Sequence, residues 1–462
     1  MDSHWASQSP VTGPGAAPAG RCEPGRGHLI FKRSLMCKRS LMHKRSPMAR
    51  WWTALSAATL LAGLTAVTAA CTAGQAASPH AAIWVSAPAA LADQAIDIRV
   101  TGLAAGERVT ITARATDASG QAWQAKAAFT ASGDGVVDLA KTAPESGSSY
   151  HGADAMGLLW SMATVSAAAD QGYFDPAPPQ RESGFAVRLT VASSGGRVLG
   201  SRLVSRDWMV AGDRARVLTG SIEGVLFTPP PGTPRHPGVL VFGGAEGGMS
   251  QVYTAALLAA HGYPALTVAY FDWPGRPANL SGIPLEYFVA AGRLLAAQPD
   301  ADPAHVLVMG YSRGSEAALL LANDFPQVFH GAVVYSPSSD VNYADTPWYQ
   351  PAWTLGGRGI YPQPIQLNHV SGPVLAFAGG DDAQWNSGQS AQVISEQMVL
   401  ARSRYKGHAF LYPDAGHGVG TFPYQPISTQ AIGALGGTRA GDVAAQRDGW
   451  VTVLRLLAQL DG

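Results

Sequence analysis

His305-Val-Leu-Val-Met-Gly-Tyr-Ser-Arg-Gly-Ser-Glu-Ala-Ala-Leu-Leu-Leu-Ala322 is the stretch that decides the fold class. It opens with a short apolar run to Met309, the mark of a fully buried parallel strand. It closes with Ser315 to Ala322, whose Glu, Ala and Leu favour helix. Between them Gly310-Tyr-Ser-Arg-Gly314 is a G-x-S-x-G pentapeptide in the strand-to-helix setting of a nucleophile elbow. So tight a turn leaves no room for a side chain at Gly310 or Gly314. It lifts the Ser312 hydroxyl above the sheet and aims the Arg313 amide at the oxygen of a bound acyl group. The pentapeptide by itself is weak, because the chain holds 53 glycines. The bland alternative is a buried Gly-rich turn with an incidental serine, and the partners of Ser312 decide between the two.

A serine hydroxyl is a poor nucleophile at neutral pH and needs a positioned base, itself oriented by a carboxylate. On an α/β-hydrolase sheet the chain order is Ser, then Asp or Glu, then His, each on a loop after a strand. Val374-Leu-Ala-Phe-Ala-Gly-Gly-Asp-Asp-Ala-Gln-Trp385 reads as a buried strand running into a carboxylate-bearing loop. Phe410-Leu-Tyr-Pro-Asp-Ala-Gly-His-Gly418 reads as a strand, then a loop with His417 between glycines. Among the twelve histidines only His417 follows a strand, lies downstream of the acid and sits on a Gly-rich loop. His408 precedes its strand and His369 precedes the acid. Asp382 is chosen over Asp381 because the acid usually lies about three residues past the strand end. Asp381 is then expected to cap the loop. A second oxyanion amide is sought in Gly238-Val-Leu-Val-Phe-Gly-Gly-Ala-Glu-Gly-Gly248, among Gly244, Ala245 and Glu246. That turn lacks the G-x-G-x-x-G spacing of a dinucleotide-binding loop.

Beyond about Gly220 strands and helices alternate. Candidate strands are Gly238–Phe242, Ala265–Tyr270, His305–Met309, Ala332–Tyr335, Val374–Ala378 and Ala409–Tyr412. Helical runs are Tyr253–His261, Leu285–Ala297, Ser315–Asn323, Ser387–Arg402 and about Ala440–Leu460. The alternation predicts a doubly wound, mostly parallel sheet over 220–462, an α/β-hydrolase fold with its active site at the carboxyl ends of the strands.

Before it, residues 81–215 have an all-β texture. Ile96–Val100, Val109–Ala113 and Ala186–Val191 alternate apolar and polar residues between Gly-containing turns, which predicts an immunoglobulin-like β-sandwich. It holds no cysteine pair and no His/Asp/Glu cluster.

Residues 1–47 are Pro/Gly-rich with a near-repeat of Lys-Arg-Ser, read as a disordered tail or a start site called too early. Residues 48–71 form an export signal: basic Met48-Ala-Arg50, an uncharged run from Trp51 to Ala70, then Cys71. Thr68-Ala-Ala-Cys71 is similar to a bacterial lipoprotein processing site, with Cys71 as the lipidated residue, although Thr68 stands where Leu or Val is preferred. A cleaved secretory signal or an uncleaved anchor are the alternatives, and residues 72–80 are a linker. The expected location is the cell surface or outside, and membrane contact runs only through the signal or lipid.

Cys22, Cys37 and Cys71 are the only cysteines, so the chain beyond them has no disulfide, Cys-based metal site or Cys nucleophile. The formal charge of zero hides an asymmetry: past residue 70 there are 23 Lys/Arg against 30 Asp/Glu, a net charge of −7. No basic surface for nucleic acid is legible, and no clustered basic loop.

Gly243-Gly-Ala-Glu-Gly-Gly248, Leu285-Glu-Tyr-Phe288, Gly310-Tyr-Ser-Arg-Gly314, Gly379-Gly-Asp-Asp-Ala-Gln-Trp385 and Tyr412-Pro-Asp-Ala-Gly-His417 occur in that order. Together they resemble the catalytic domain of the acyl-CoA thioesterase / bile acid-CoA:amino acid N-acyltransferase family. Asp154-Ala-Met-Gly-Leu-Leu-Trp160 resembles a segment of its amino-terminal β-sandwich, and Gly436 to Trp450 the lead into its final helix. The resemblance covers nearly everything from Pro79 onward. It implies the two-domain fold and a triad of Ser312, Asp382 and His417. Amidating members of the family use Cys and hydrolytic members Ser, so it also implies hydrolysis of a small acyl thioester, an acyl-CoA, without metal or organic cofactor. Acyl transfer to an amine or alcohol, an exported carboxylesterase and a non-catalytic surface binding protein are the alternatives. Animal members act inside cells, whereas this chain carries an export signal. Arg313 and Arg276 are the arginines considered for the coenzyme A phosphates.

Overall fold

The computed structural model describes residues 80–166, 172–346, 348–420, 422–427 and 429–461. The tail at 1–47, the export signal at 48–71 with Cys71, and the linker as far as residue 79 lie outside the described residues.

The amino-terminal part builds two sheets around one core. Arg108–Thr116, Ala122–Thr130, Gly184–Ser193 and Val198–Asp207 form the body of a six-stranded sheet, completed by Ala89–Leu91 and Ala163–Thr164. Ala82–Val85, Ile98–Thr101 and Val137–Asp138 form a three-stranded one. Period-two alternation is the reason they pack: Val109, Ile111, Ala113, Val187, Leu189 and Val191 are buried, while Arg114 and Arg188 are exposed. Two long strands, Ala122–Thr130 and Val198–Asp207, were not anticipated. The first is Ala-rich, and alanine is a weak strand former, yet it pairs along its whole length with Arg108–Thr116.

The carboxyl-terminal part is built on an eight-stranded sheet. They are β1 (Arg214–Leu218), β2 (Gly224–Thr228), β3 (His236–Phe242), β4 (Ala265–Val268), β5 (Ala301–Tyr311), β6 (Ala332–Tyr335), β7 (Val374–Gly379) and β8 (Gly407–Tyr412). Their order is β1-β2-β4-β3-β5-β6-β7-β8. The six strands read from the sequence are β3 to β8, all in parallel pairings. The two antiparallel strands β1 and β2 extend the sheet to Arg214, ahead of the expected start at 220. β7 is buried at every position and β3 at all but its first, as a strand covered on both faces must be. Each fully buried Val, Leu or Phe there contributes about 1.5–3 kcal/mol, so the sheet is a rigid base for the loops at its carboxyl edge.

Helices α1 (Val252–Ala260), α2 (Leu285–Ala296), α3 (Arg313–Asp324), α4 (Ser387–Leu400) and α5 (Arg439–Leu460) cover the sheet. α4 is capped by Asn386, which accepts from Gln389 N–H at 3.1 Å, and α5 by Thr438, which accepts from Gly441 N–H at 2.9 Å. Among the described residues no helix is long and apolar enough to cross a membrane.

One segment of the amino-terminal part reaches the carboxyl edge of the large sheet. Tyr173 pairs with Ile427, Phe174 N–H donates to Pro426 O at 2.9 Å, and Gln425 Nε2 donates to Phe174 O at 3.0 Å. The site below is walled by both parts.

Candidate active site

Ser312 is the single residue between β5 and α3, held at φ +52° and ψ −123°, a conformation L-residues rarely adopt. The glycines on either side explain how the turn closes. A Cβ on Gly310 would lie 2.4 Å from Gly314 O, and one on Gly314 would lie 2.2 Å from Gly243 O. Both distances are well inside contact, so only glycine lets β5, α3 and the β3 turn approach this closely. Ser312 itself is 8 % exposed, with its side chain turned to a cavity.

Three sequence candidates come together there. His417 Nε2 is 2.8 Å from Ser312 Oγ, and His417 Nδ1 is 2.9 and 3.0 Å from the two oxygens of Asp382. Positions 312, 382 and 417 meet because β5, β7 and β8 end at the same edge of the sheet. The His417 loop is pinned through its backbone. Its N–H donates to Leu435 O at 2.9 Å, and its carbonyl accepts from Tyr311 OH at 2.8 Å and Ser336 Oγ at 2.7 Å. Trp385 stands edge-on to the imidazole, 5.5 Å between ring centres.

Between the neighbouring carboxylates the geometry discriminates. Asp382 Oδ1 accepts from Gln384 N–H at 2.9 Å as well as facing the imidazole. Burial pushes its carboxyl up, but the His417 hydrogen bond and charge, with Ser387 and Gln384 N–H, outweigh burial and hold it below the usual range. Asp381 is exposed and accepts from Gly437 N–H at 3.2 Å, a loop cap.

The oxyanion candidates divide. Arg313 opens α3, and no side chain caps that helix start. Gly244 N–H is already spent on Glu246 Oε2 at 2.9 Å. Tyr270 OH, donating toward Gly243 O (2.9 Å) and Gly244 O (3.1 Å), fixes the turn from below. Ala245 and Glu246 line the cavity beside Ser312.

Neither arginine considered for phosphate is available. Arg313 is buried, with Nε 3.2 Å from Glu316 Oε1 and Nη2 donating to Asn342 O and Tyr343 O. Arg276 donates to Gly220 O and Ser221 O and lies over the Tyr287 ring.

The cavity is about 560 Å³. Tyr173, Phe174 and Asp175 form one wall, and Tyr253, Phe422 and Gln425 are among its other residues. No sequence signal pointed to Tyr173 or Phe174, since each lies more than a hundred residues from Ser312.

Asp442, in the first turn of α5, is a further buried acid behind the imidazole loop. Its Oδ1 accepts from Gly416 N–H at 2.8 Å, and its Oδ2, without a hydrogen-bond partner among the described residues, packs against Gly418. Burial raises its carboxyl to about 7; Gly416 N–H opposes this and the charge of Asp382 adds to it. Its folded value lies above an unfolded one of about 3.9, so its contribution is complete below pH ~4 and is lost as pH rises through about 7. Asp442→Asn keeps the acceptor and removes the charge. Wild-type protein is therefore expected to lose about 2–3 kcal/mol more stability than the variant between pH 5 and pH 8. Denaturant melts at both pH values check this, and parallel losses in the two proteins would refute it.

Alignment with known proteins covers 78 % of the chain. The family profile described as acyl-CoA thioester hydrolase/BAAT N-terminal region matches residues 93–218. That described as BAAT / acyl-CoA thioester hydrolase C terminal matches residues 360–460. The chain is 29 % identical to acyl-coenzyme A thioesterase 6 of Mus musculus over 396 residues, covering 78 % of this chain and 91 % of the relative. It is 28 % identical to the peroxisomal succinyl-coenzyme A thioesterase of Mus musculus over 399 residues, covering 78 % and 92 %. Among solved structures, an esterase from Pyrobaculum calidifontis aligns at a TM-score of 0.36 and 14 % identity, over 54 % of this chain and 85 % of the other. Both terminal profiles are matched in order, with Ser312 between them and Asp382 and His417 inside the second, and the chain belongs to the acyl-CoA thioester hydrolase/BAAT family.

Proposed function

We propose that this chain is a thioesterase-type serine hydrolase that cleaves acyl-CoA or related thioesters through an acyl group carried on Ser312. The observation that carries the proposal is the unbroken hydrogen-bond line from Ser312 through His417 to Asp382 at the mouth of a cavity of about 560 Å³. Ser312 Oγ attacks the thioester carbonyl carbon while its proton passes to His417 Nε2. Asp382 accepts from Nδ1–H, selects that tautomer and stabilises the imidazolium. The negative oxygen of the tetrahedral intermediate is held by the Arg313 amide, with Ala245 or Glu246 N–H as its second donor. Collapse breaks the C–S bond, and His417 returns the proton to the departing thiolate. Water then attacks the acyl-serine carbonyl, gives a proton to His417, and the free acid leaves as Ser312 regains its hydrogen.

The full chain, given matched thioesters and oxygen esters of several acyl lengths, is expected to turn over the thioesters. Turnover of oxygen esters alone would overturn the thioesterase reading. An acylated amine formed in place of free acid would show transfer.

The strand alternation of residues 81–215 supports an immunoglobulin-like sandwich ahead of the hydrolase domain at 220–462. The segment 48–71 supports an exported enzyme held at the cell surface through Cys71. Mass spectrometry of the mature amino terminus tests this: a lipidated Cys71 is expected, and an intact Met1 start would overturn it.

A further inference from the structure

Resting on the thioesterase reading, a second cavity assigns part of the leaving group. It encloses about 710 Å³ on the outer face of the six-stranded sheet and is edged by Arg114, Arg181 and Arg188. No stretch of sequence clusters these three. Arg114 and Arg188 are direct partners across the antiparallel strands Arg108–Thr116 and Gly184–Ser193. Like charges placed opposite each other in a sheet are destabilising. Gln124 continues this cross-strand row beyond Arg114 and Leu203 beyond Arg188, so it contains no carboxylate. Arg181 joins from the turn in which its N–H donates to Pro178 O at 2.8 Å.

Among the described residues none of the three guanidiniums has an ion-pair or hydrogen-bond partner, whereas three arginines elsewhere in the same two sheets are engaged. Arg99 pairs with Asp138, Arg108 with Glu145, and Arg206 donates to backbone carbonyls. Two carboxylates border the groove. Asp117 is occupied by Ser119, Gln121 and Trp123, and Glu182 lies exposed near the rim. Both carboxylates keep their charge, so three guanidiniums without ion-pair partners outnumber them and leave this concave place net positive on a chain that is net negative past residue 70, which favours an anion. Arginine's planar fork suits phosphate oxygens in particular.

The groove and the Ser312 cavity share a wall. Phe174 and Asp175 face the cavity, and the next residues, Pro176 to Pro178, face the arginines. That wall is held in place. Tyr253 OH is 2.6 Å from Asp175 Oδ1 and 2.5 Å from Pro176 O, and Ala118 N–H donates to Asp175 O at 2.9 Å. Leu203, 53 % exposed, and Pro176 add apolar surface beside the charges. We propose that Arg114, Arg181 and Arg188 form a subsite for the phosphates at the nucleotide end of a coenzyme A thioester whose acyl carbonyl lies at Ser312. The leaving group runs along the 174–178 segment.

The test compares a coenzyme A thioester with the same acyl group on N-acetylcysteamine, which carries no phosphate. In the triple variant Arg114→Gln/Arg181→Gln/Arg188→Gln the ratio of kcat/KM between the two substrates is expected to fall about 10- to 100-fold, as loss of charge-assisted hydrogen bonds implies. An unchanged ratio overturns the subsite. 3′,5′-ADP is expected to compete with the coenzyme A thioester in wild type and not in the variant. Equal competition by inorganic phosphate would overturn the nucleotide assignment in favour of a simple anion site. Calorimetric binding of desulfo-coenzyme A needs no turnover. If wild type hydrolyses neither thioester, the thioesterase reading fails, yet binding lost in the variant still supports the subsite and equal binding in both refutes it.

Discussion

Ser312→Ala is expected to lower kcat for a thioester by about 10⁴- to 10⁶-fold while leaving the melting temperature nearly unchanged. The substitution removes one oxygen, and that oxygen is the atom 2.8 Å from His417 Nε2. It leaves a Cβ in the same left-handed backbone position, so the turn is strained no more than before. Residual rate would come from the oxyanion amides and from binding, which do not need the hydroxyl. Steady-state kinetics on one thioester, beside a thermal melt, reads both effects. A variant retaining a tenth or more of wild-type kcat would remove Ser312 from the nucleophile's role. Loss of labelling by a fluorophosphonate probe is the parallel readout, since it reports the activated hydroxyl and not the substrate.

Asp382→Asn is expected to cost about 10⁴-fold in kcat, whereas Asp381→Asn should change it by less than about threefold. The two residues adjoin in sequence and differ in what they face. Asp382 takes the imidazole N–H on its carboxylate, with a side chain 2 % exposed, and an amide there would favour the wrong tautomer. Asp381 holds only the Gly437 amide at the surface. The pH response separates them further. The Asp382 carboxyl is held below its usual range, so its contribution to stability is present above about pH 4 and is lost as pH falls through the folded value. The Asp382→Asn protein should therefore show a shallower acid-side loss of stability. Equal kinetic losses in the two variants would sink this assignment.

Much of the site was legible because its constraints are local or follow chain order. The glycine at 310 is demanded within the pentapeptide itself, where its Cβ would meet Gly314 O, whereas the obstacle at 314 is Gly243 O from the distant β3 turn. The acid and base could be named because strand, loop and order restrict the choice to a few residues. The choice between Asp381 and Asp382 depended on which side of a turning backbone faces His417. Asp381 N–H is bound to Ala415 O, and Asp382 then bridges to Gly436, which brings its carboxylate under the imidazole. The helix α3 begins at Arg313, two residues before the expected Ser315, because the elbow passes directly into the helix.

The sequence by itself determined the layered α/β sheet and singled out Ser312, Asp382 and His417, which the structure brings within hydrogen-bond reach, since buried-strand periodicity and turn sterics are short-range. It also showed that the chain past residue 70 is net negative and without a basic run. Only the tertiary structure decided that Arg114 and Arg188, 74 positions apart, stand side by side. It likewise brought Tyr173 and Phe174 to the wall of the Ser312 cavity and turned Arg313 inward onto Glu316. The physical reason is long-range alignment: a strand's own alternation fixes which face a residue takes, but which residue of a distant strand stands opposite it, and how separate sheets pack, depends on how segments far apart in the chain meet.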